Sequence, residues 1–331
     1  MKILIVGGAG YVGSKLVPYL LEKGHEITVY DLYLFEKDIF SPYQDNPLLK
    51  EHVGDVRDLK KLETVLKNQE AVIHLACLSN DPSYELDPDF SKTINFDCFE
   101  PFVRLCKDNG IKRFIYASSS SVYGIKKEDR VVETLCLEPL TDYSKYKALC
   151  EEVLLKYDSK DFVTTSLRPA TVCGYAPRQR LDVVVNILTN LAYHTGRIKI
   201  MGGEQKRPNI GIEDMVRAYE RVLLADPKDV GGKIFNVGDE NHTVKDLGKM
   251  IRGLIDRRVE IDTVPSDDLR SYHICCNKIK EELKFTCKSS IEKEVKNLIR
   301  AFDEKKILDP LNNKTYYNIR VIKEAGLACR F

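Results

Sequence analysis

The chain has 331 residues, long enough to bury a substantial core and short for three independent domains, so one large or two closely joined domains are expected. Lysine plus arginine total 51 against 50 for aspartate plus glutamate, without a long single-sign run. That balance argues against a nucleic-acid or anionic-membrane partner and for a small molecule. The ten cysteines show no CxxC spacing, and adjacent Cys275 and Cys276 do not easily close a regular bridge, so reduced thiols in a cytoplasmic protein are expected.

The first apolar run, "KILIVG", has one lysine before it and glycines directly after, and reads as a strand rather than a signal peptide or membrane span. A helix over residues 10–22 follows, with Val12, Leu16, Tyr19 and Leu20 at helical spacing and Gly24 to stop it. "EITVYD", "AVIHLA", "KRFIYAS", "FVTTSLRPA" and "KIFNVG" read as further strands, and helices are expected over 58–68, 91–109 and 143–157. Pro101 predicts a kink or broken start in the third of these helices. Such alternation defines an α/β protein with a doubly wound parallel sheet, the Rossmann arrangement.

Beyond Pro169 the rhythm changes. "LDVVVNILTNLAYHTG" and "IEDMVRAYERVLLA" read as helices around a short strand "RIKIM", and Thr243 with Asp246 looks like the cap of another helix. "RRVEIDTVP", "NKIKEELKF" and "IEKEVKNLIRAFDEKK" supply a strand and two helices of a smaller mixed lobe. Residues 1–170 are thus expected to form the dinucleotide-binding domain, completed by a strand near 233–238, with 171–331 mainly a substrate-binding lobe. The polar, aromatic stretch 309–331 has no assignable element and is a candidate oligomer contact.

Gly7, Gly10 and Gly13 lie between the first strand and the first helix. A tight turn, close backbone approach to a pyrophosphate and free amides at a helix N-terminus all need such residues there. Asp31, 18 residues after Gly13 at the end of the second strand, is placed to hold an adenosine ribose through its hydroxyls. Its charge would repel a 2′-phosphate and no arginine follows in "DLYLFEKD", which favours NAD over NADP. In "VGDVRD", Asp55 could accept from the adenine amino group with the Val56 amide beside it; a solvated turn acid is the plainer alternative.

"YASSSSVYG" ends one strand, and "TDYSKYKALCEE" opens a helix in which Tyr143 and Lys147 are four residues apart, on one face. A free tyrosine ionises near about pH 10, so an ammonium neighbour is what makes it useful as a general acid/base. The serine run would supply a hydroxyl that orients the substrate oxygen. Tyr-x-x-x-Lys alone is also an ordinary surface pair. Its place 24 residues after Ser119, downstream of a dinucleotide fingerprint, gives it weight.

At this point the chain resembles the extended short-chain dehydrogenase/reductase family, in its NAD-dependent nucleotide-sugar epimerase/dehydratase group. "GGAGYVG", "HLA", "SSSSVYG", "YSKYKALCEE", "LRPATVCG" and "KRPNIGIEDMVRA" stand in that family's order and spacing. The resemblance implies that Ser119, Tyr143 and Lys147 form a catalytic triad, with Lys147 also on the nicotinamide ribose. It implies cofactor contacts at Tyr11, Val12, Leu75, Ala76 and Pro169. Arg207 matches an arginine that binds a substrate pyrophosphate, and Arg270 stands later than the family's second such arginine. Where sugar 4,6-dehydratases carry an Asp-Glu pair, this chain has Ser120 and Ser121, which argues against a dehydratase.

Ser79, Asn80 and Ser120 are candidates for the sugar site, Arg178, Arg180 and Asn186 for the cleft between lobes, and Asn95 for the cofactor phosphates or substrate, or else an ordinary helix position. His74 sits in an apolar strand and reads as a satisfied core histidine. The cysteines and histidines show no metal-ligand spacing. The leading reading is an NAD-dependent epimerase working through a 4-keto sugar. A C4 dehydrogenase or 4-ketoreductase with net redox change, and a non-catalytic NAD-sensing regulator, are the alternatives. A homodimer through the third and fourth long helices is implied, with Phe99, Phe102, Leu149 and Val153 on its apolar faces or in the protomer's own core.

Overall fold

The computed structural model describes residues 1–128, 130–265, 271 and 273–325. Strands β1 (Lys2–Val6), β2 (Glu26–Asp31), β3 (Leu49–Val53), β4 (Ala71–His74), β5 (Arg113–Ala117) and β6 (Val163–Pro169) belong to one sheet. After β7 (Thr171–Cys173), β8 (Arg197–Met201) and β9 (Lys206–Gly211), β10 (Lys233–Val237) returns to that sheet beside β6; β11 (Glu240–Thr243) and β12 (Glu260–Val264) follow. The described sheet has seven parallel strands in the order β3-β2-β1-β4-β5-β6-β10. Its strand order reverses at β1, and the crevice beyond the carboxyl end of β1 is where such sheets take ligands.

Alternation along each strand builds two core layers. Ile3 and Ile5 face a cluster with Leu16, Leu20, Val216 and Tyr219, while Leu4 and Val6 face one with Leu62, Leu66, Phe102 and Phe114. Helix Ile212–Leu224, from the second half of the chain, thus packs on the first face together with helix Gly13–Glu22. Helix Asn277–Leu283 adds Ile279 and Leu283 to the same cluster, so the parallel sheet draws more of the later sequence than one strand. A separate cluster holds Val185, Ile198, Ile200, Leu247 and Val295 between three helices and the β8–β12 pair, and forms the core of the smaller lobe.

The expected helix over 91–109 is three pieces: Pro88–Lys92, a π-turn Thr93–Asp97, and Phe99–Asp108. Asp87 caps the first, and Pro101 sits in the first turn of the last, where its missing N–H leaves no hydrogen bond unmade. The stretch after 309 is not shapeless either. It forms a 3-10 turn, Lys314–Tyr316, and a helix, Asn318–Ala325, packed against the short helix Asp81–Tyr84. Phe99 and Phe102 are fully buried against Phe114 and Tyr116, so they belong to the protomer's own core rather than to a dimer face. Leu149 and Val153 are half-buried. The described cysteines are free thiols, and burial pushes Cys98 and Cys150 up to about 12, which makes them inert.

Candidate active site

A cleft of about 530 Å³ runs from the glycine turn across the carboxyl ends of β1, β4 and β5 to the smaller lobe. Two glycines in its floor are steric necessities. Gly7 has φ +84°, and a Cβ there would lie 2.4 Å from the Ala76 amide nitrogen; at Gly13 it would lie 2.3 Å from the Gly8 carbonyl oxygen. Leu75 and Ala76 donate their amides to the Val6 carbonyl and press against this turn from β4. Gly10, Tyr11 and Val12 line the cleft above it, and the Tyr11 hydroxyl donates to the Gly174 carbonyl at 2.7 Å, joining the turn to the second lobe.

Asp31 is oriented into the cleft mouth by the amides of Ala9 (2.9 Å) and Tyr33 (2.8 Å). Burial pushes its carboxyl above the usual range, and those two donors pull the other way. Asp55 and Val56 are also on the wall, but Arg57 engages both Asp55 oxygens, at 2.9 Å through Nε and 2.6 Å through Nη2. These residues fit a dinucleotide: a side chain on Gly7 or Gly13 would collide with the backbone of the cradle, and the acid at the end of β2 faces the same cavity.

On the opposite wall stand Ser119, Ser120, Tyr143, Lys147 and Pro169. Helix Asp142–Tyr157 opens on a capping box in which the Thr141 and Ser144 side chains each bond the other's backbone. The Lys147 ammonium, nearly fully buried, donates to the Ala117 carbonyl at 2.7 Å and lies 5.8 Å from the Tyr143 ring centre. Ser119 and Ser121 share a hydrogen bond of 2.8 Å between hydroxyls. Behind them Glu151 accepts from the Ser118 hydroxyl and, through its two oxygens, from Arg168 Nε and Nη2 at 3.0 and 2.6 Å. Burial would lower the Arg168 pKa, but the Glu151 contacts more than reverse this and hold it above the usual value. The pair ties the serine loop to the tyrosine helix; the sequence shows both residues but no signal that they meet.

Ser79, Asn80, Arg178, Arg180, Asp182 and Arg207 also line the cleft. Arg180 pairs with Asp182 at 2.7 Å and donates to the Ser79 hydroxyl at 3.2 Å. Burial alone would raise the Asp182 pKa; Arg180 beside it wins and holds it below the usual range. Arg178 stacks on Phe35 at 3.9 Å from the ring centre, and burial together with Arg180 disfavours its charged form.

Two expected site residues do not face the cleft. Asn95 clamps the Leu78 backbone, accepting at 2.8 Å and donating at 3.1 Å, so its amide is spent holding the loop after β4. Asn186 is fully buried and bridges the Gly174 backbone, the Tyr11 hydroxyl and the Arg180 carbonyl. Both shape the site from behind. His74 lies in a box of rings, and its Nδ1 has no hydrogen-bond partner among the described residues, so it is a core histidine but not a satisfied one. Arg270 lies outside the described residues. The cleft also has two linings that carry no motif, Asn318 and Ile322 of the C-terminal helix. No group of described His, Cys, Asp or Glu residues has a metal-holding arrangement.

A doubly wound sheet with a glycine turn, an acid after β2 and a Ser-Tyr-Lys wall defines a dinucleotide-dependent oxidoreductase-type cleft. The model of the NAD dependent epimerase/dehydratase family matches residues 3–238, and the chain belongs to that family. The UDP-glucose 4-epimerase of Lactobacillus helveticus is 26% identical over 279 residues, 77% of this chain and 82% of that one. Among solved structures, the UDP-glucose 4-epimerase of Thermotoga maritima with UDP-glucose superposes with a TM-score of 0.81 at 26% identity, covering 92% of this chain and 99% of that one. MoeE5 in complex with UDP-glucuronic acid and NAD gives 0.80 at 26% identity, covering 92% and 100%. No described helix is long and apolar enough to cross a membrane.

Proposed function

We propose that this chain is an NAD-dependent nucleotide-sugar epimerase that oxidises a sugar hydroxyl, at C4, and re-reduces the ketone from the opposite face. The observation that carries this reading is the single cleft holding Gly7, Gly13 and Asp31 on one wall and Ser119, Tyr143 and Lys147 on the other. Bound NAD would take up the hydride from the oxidised carbon and give it back in the second half-reaction. The amides of the glycine turn would face its pyrophosphate, Asp31 the adenosine ribose, Asp55 and Val56 the adenine, and Lys147 the nicotinamide ribose.

Tyr143 is the base that takes the hydroxyl proton, and the buried Lys147 ammonium favours its phenolate form. Ser119 holds the reacting oxygen. Ser120 and Ser121 stand where the resembling dehydratases carry an Asp-Glu pair, so elimination of water lacks that acid/base pair and the ketone goes back to an alcohol. Arg207, on β9 at the substrate end, would grip the substrate's phosphates, with Ser79, Ser120 and Arg180 around the sugar. We also propose a homodimer, through the outer faces of helices Phe99–Asp108 and Asp142–Tyr157, where Leu155 is 53% exposed.

The test is to incubate the purified protein with UDP-, dTDP-, GDP- and CDP-sugars and resolve the products by NMR. A pair of C4 isomers reaching equilibrium without added oxidant or reductant supports the epimerase. Accumulation of a keto sugar in stoichiometry with reduced nicotinamide would replace it with a dehydrogenase.

A further inference from the structure

The C-terminal segment runs over the crevice that the reading above gives to the cofactor. Asn318, 3% exposed, accepts from the Arg178 guanidinium through Oδ1 and donates to the Ser79 hydroxyl through Nδ2 at 2.8 Å. Its backbone amide donates to Asp182 Oδ2 at 2.9 Å. Arg178 in turn lies on Phe35, and its own amide donates to Ser14 Oγ at 3.1 Å, above the first helix.

The topology gives these contacts their meaning. Phe35 follows β2 and Ser79 follows β4, the strands on either side of β1. The chain Phe35–Arg178–Asn318–Ser79 therefore spans the cleft from one bank to the other, across the glycine turn at the end of β1. All four residues line the cavity. Nothing in the motifs foretells this, since the family model ends at residue 238 and the bridging residue is 318. Asp31 and Tyr143 line the same cavity as the four bridging residues, so a ligand that reaches from one to the other shares the cleft with the bridge.

We propose that Asn318 is a positioning residue that latches the dinucleotide cleft, so that the cofactor exchanges slowly and stays bound between turnovers. The proposal rests on the assignment of the cleft to NAD. It suits a reaction in which the hydride leaves and returns on the same cofactor molecule, because that chemistry needs no exchange. Asn318 itself bridges through hydrogen bonds, while Tyr316 and Tyr317 just before it pack on the apolar cluster of Leu181 and Phe302 and anchor the segment.

The experiment measures NADH entry and exit by its fluorescence, in stopped flow and by chase with excess NAD, for the full chain and for Asn318→Ala. Removing a gate speeds both directions: exit and entry should each rise on the order of tenfold, the effect of losing one to two buried hydrogen bonds, while Kd changes far less. Ser79→Ala removes the far anchor with Asn318 in place. It should produce a similar acceleration, and the double variant should add little to either single one. Exit rates within about twofold of wild type in both variants would overturn the latch. So would faster exit with unchanged entry, which marks an ordinary binding contact. Wild-type protein that binds no NADH would overturn the NAD reading itself, and the latch with it.

Discussion

Replacing His74 by phenylalanine separates a buried core histidine from a catalytic one. The imidazole lies on β4 with ring centres of Phe99, Phe102, Phe114 and Tyr116 at 5.6, 5.5, 6.1 and 6.0 Å. Burial, with the Lys147 charge adding to it, pushes its pKa from 6.5 down to about 3. Below pH 6.5 the unfolded chain takes up a proton here that the folded chain refuses until about pH 3. This contribution to stability is therefore complete above that window and is lost as pH falls through it, at about 1.4 kcal/mol per unit. At about pH 5 the loss amounts to about 2 kcal/mol. His74→Phe keeps a ring in the aromatic box and removes the titration. Urea unfolding at about pH 7.5 and about pH 5 should show the variant losing about 2 kcal/mol less than wild type on acidification, with turnover at neutral pH retained. Equal losses in both proteins would refute the burial argument, and a dead variant that still binds cofactor would refute the core assignment.

Tyr143→Phe should leave the fold and NADH affinity intact and lower turnover by about 10²–10⁴-fold, read as initial rates of sugar isomerisation. Gly13→Ala puts a methyl group 2.3 Å from the Gly8 carbonyl, so it should lower the melting temperature and abolish NADH fluorescence enhancement together. Arg207→Ala should raise KM for the nucleotide sugar at least about tenfold, with much less change in kcat, because it removes a charge-assisted grip remote from the reacting carbon. Light scattering should give twice the mass of one chain; monomer alone would remove the dimer proposal.

The parallel sheet, the glycine turn, Asp31 and the Tyr143–Lys147 face are all legible in the sequence because each is local: a run of alternating residues, a spacing, one turn of helix. What failed to show was nonlocal. Asn95 and Asn186 look like site residues, since a polar side chain near a motif has the same letter whether it faces ligand or backbone. Only the fold shows their amides bonded to the Leu78 and Gly174 backbones. No local signal marks Glu151, yet it meets Arg168 17 residues away across a buried layer. The 309–325 segment carries no periodic pattern because its role is set by what it crosses. Asn318 meets Ser79 at a sequence separation of 239. The break before Pro101 was foreseeable in kind, though the π-turn ahead of it was not.

The most direct measurement is the absorbance of reduced nicotinamide in the purified protein while nucleotide sugars are added one at a time, without external cofactor. A transient rise that decays as an isomeric sugar appears is expected, because hydride goes out and comes back within one cleft. A rise that persists until an external keto acceptor is supplied would contradict the epimerase and leave a dehydrogenase; no change with any sugar, in protein shown to carry NAD, would contradict the enzymatic reading altogether.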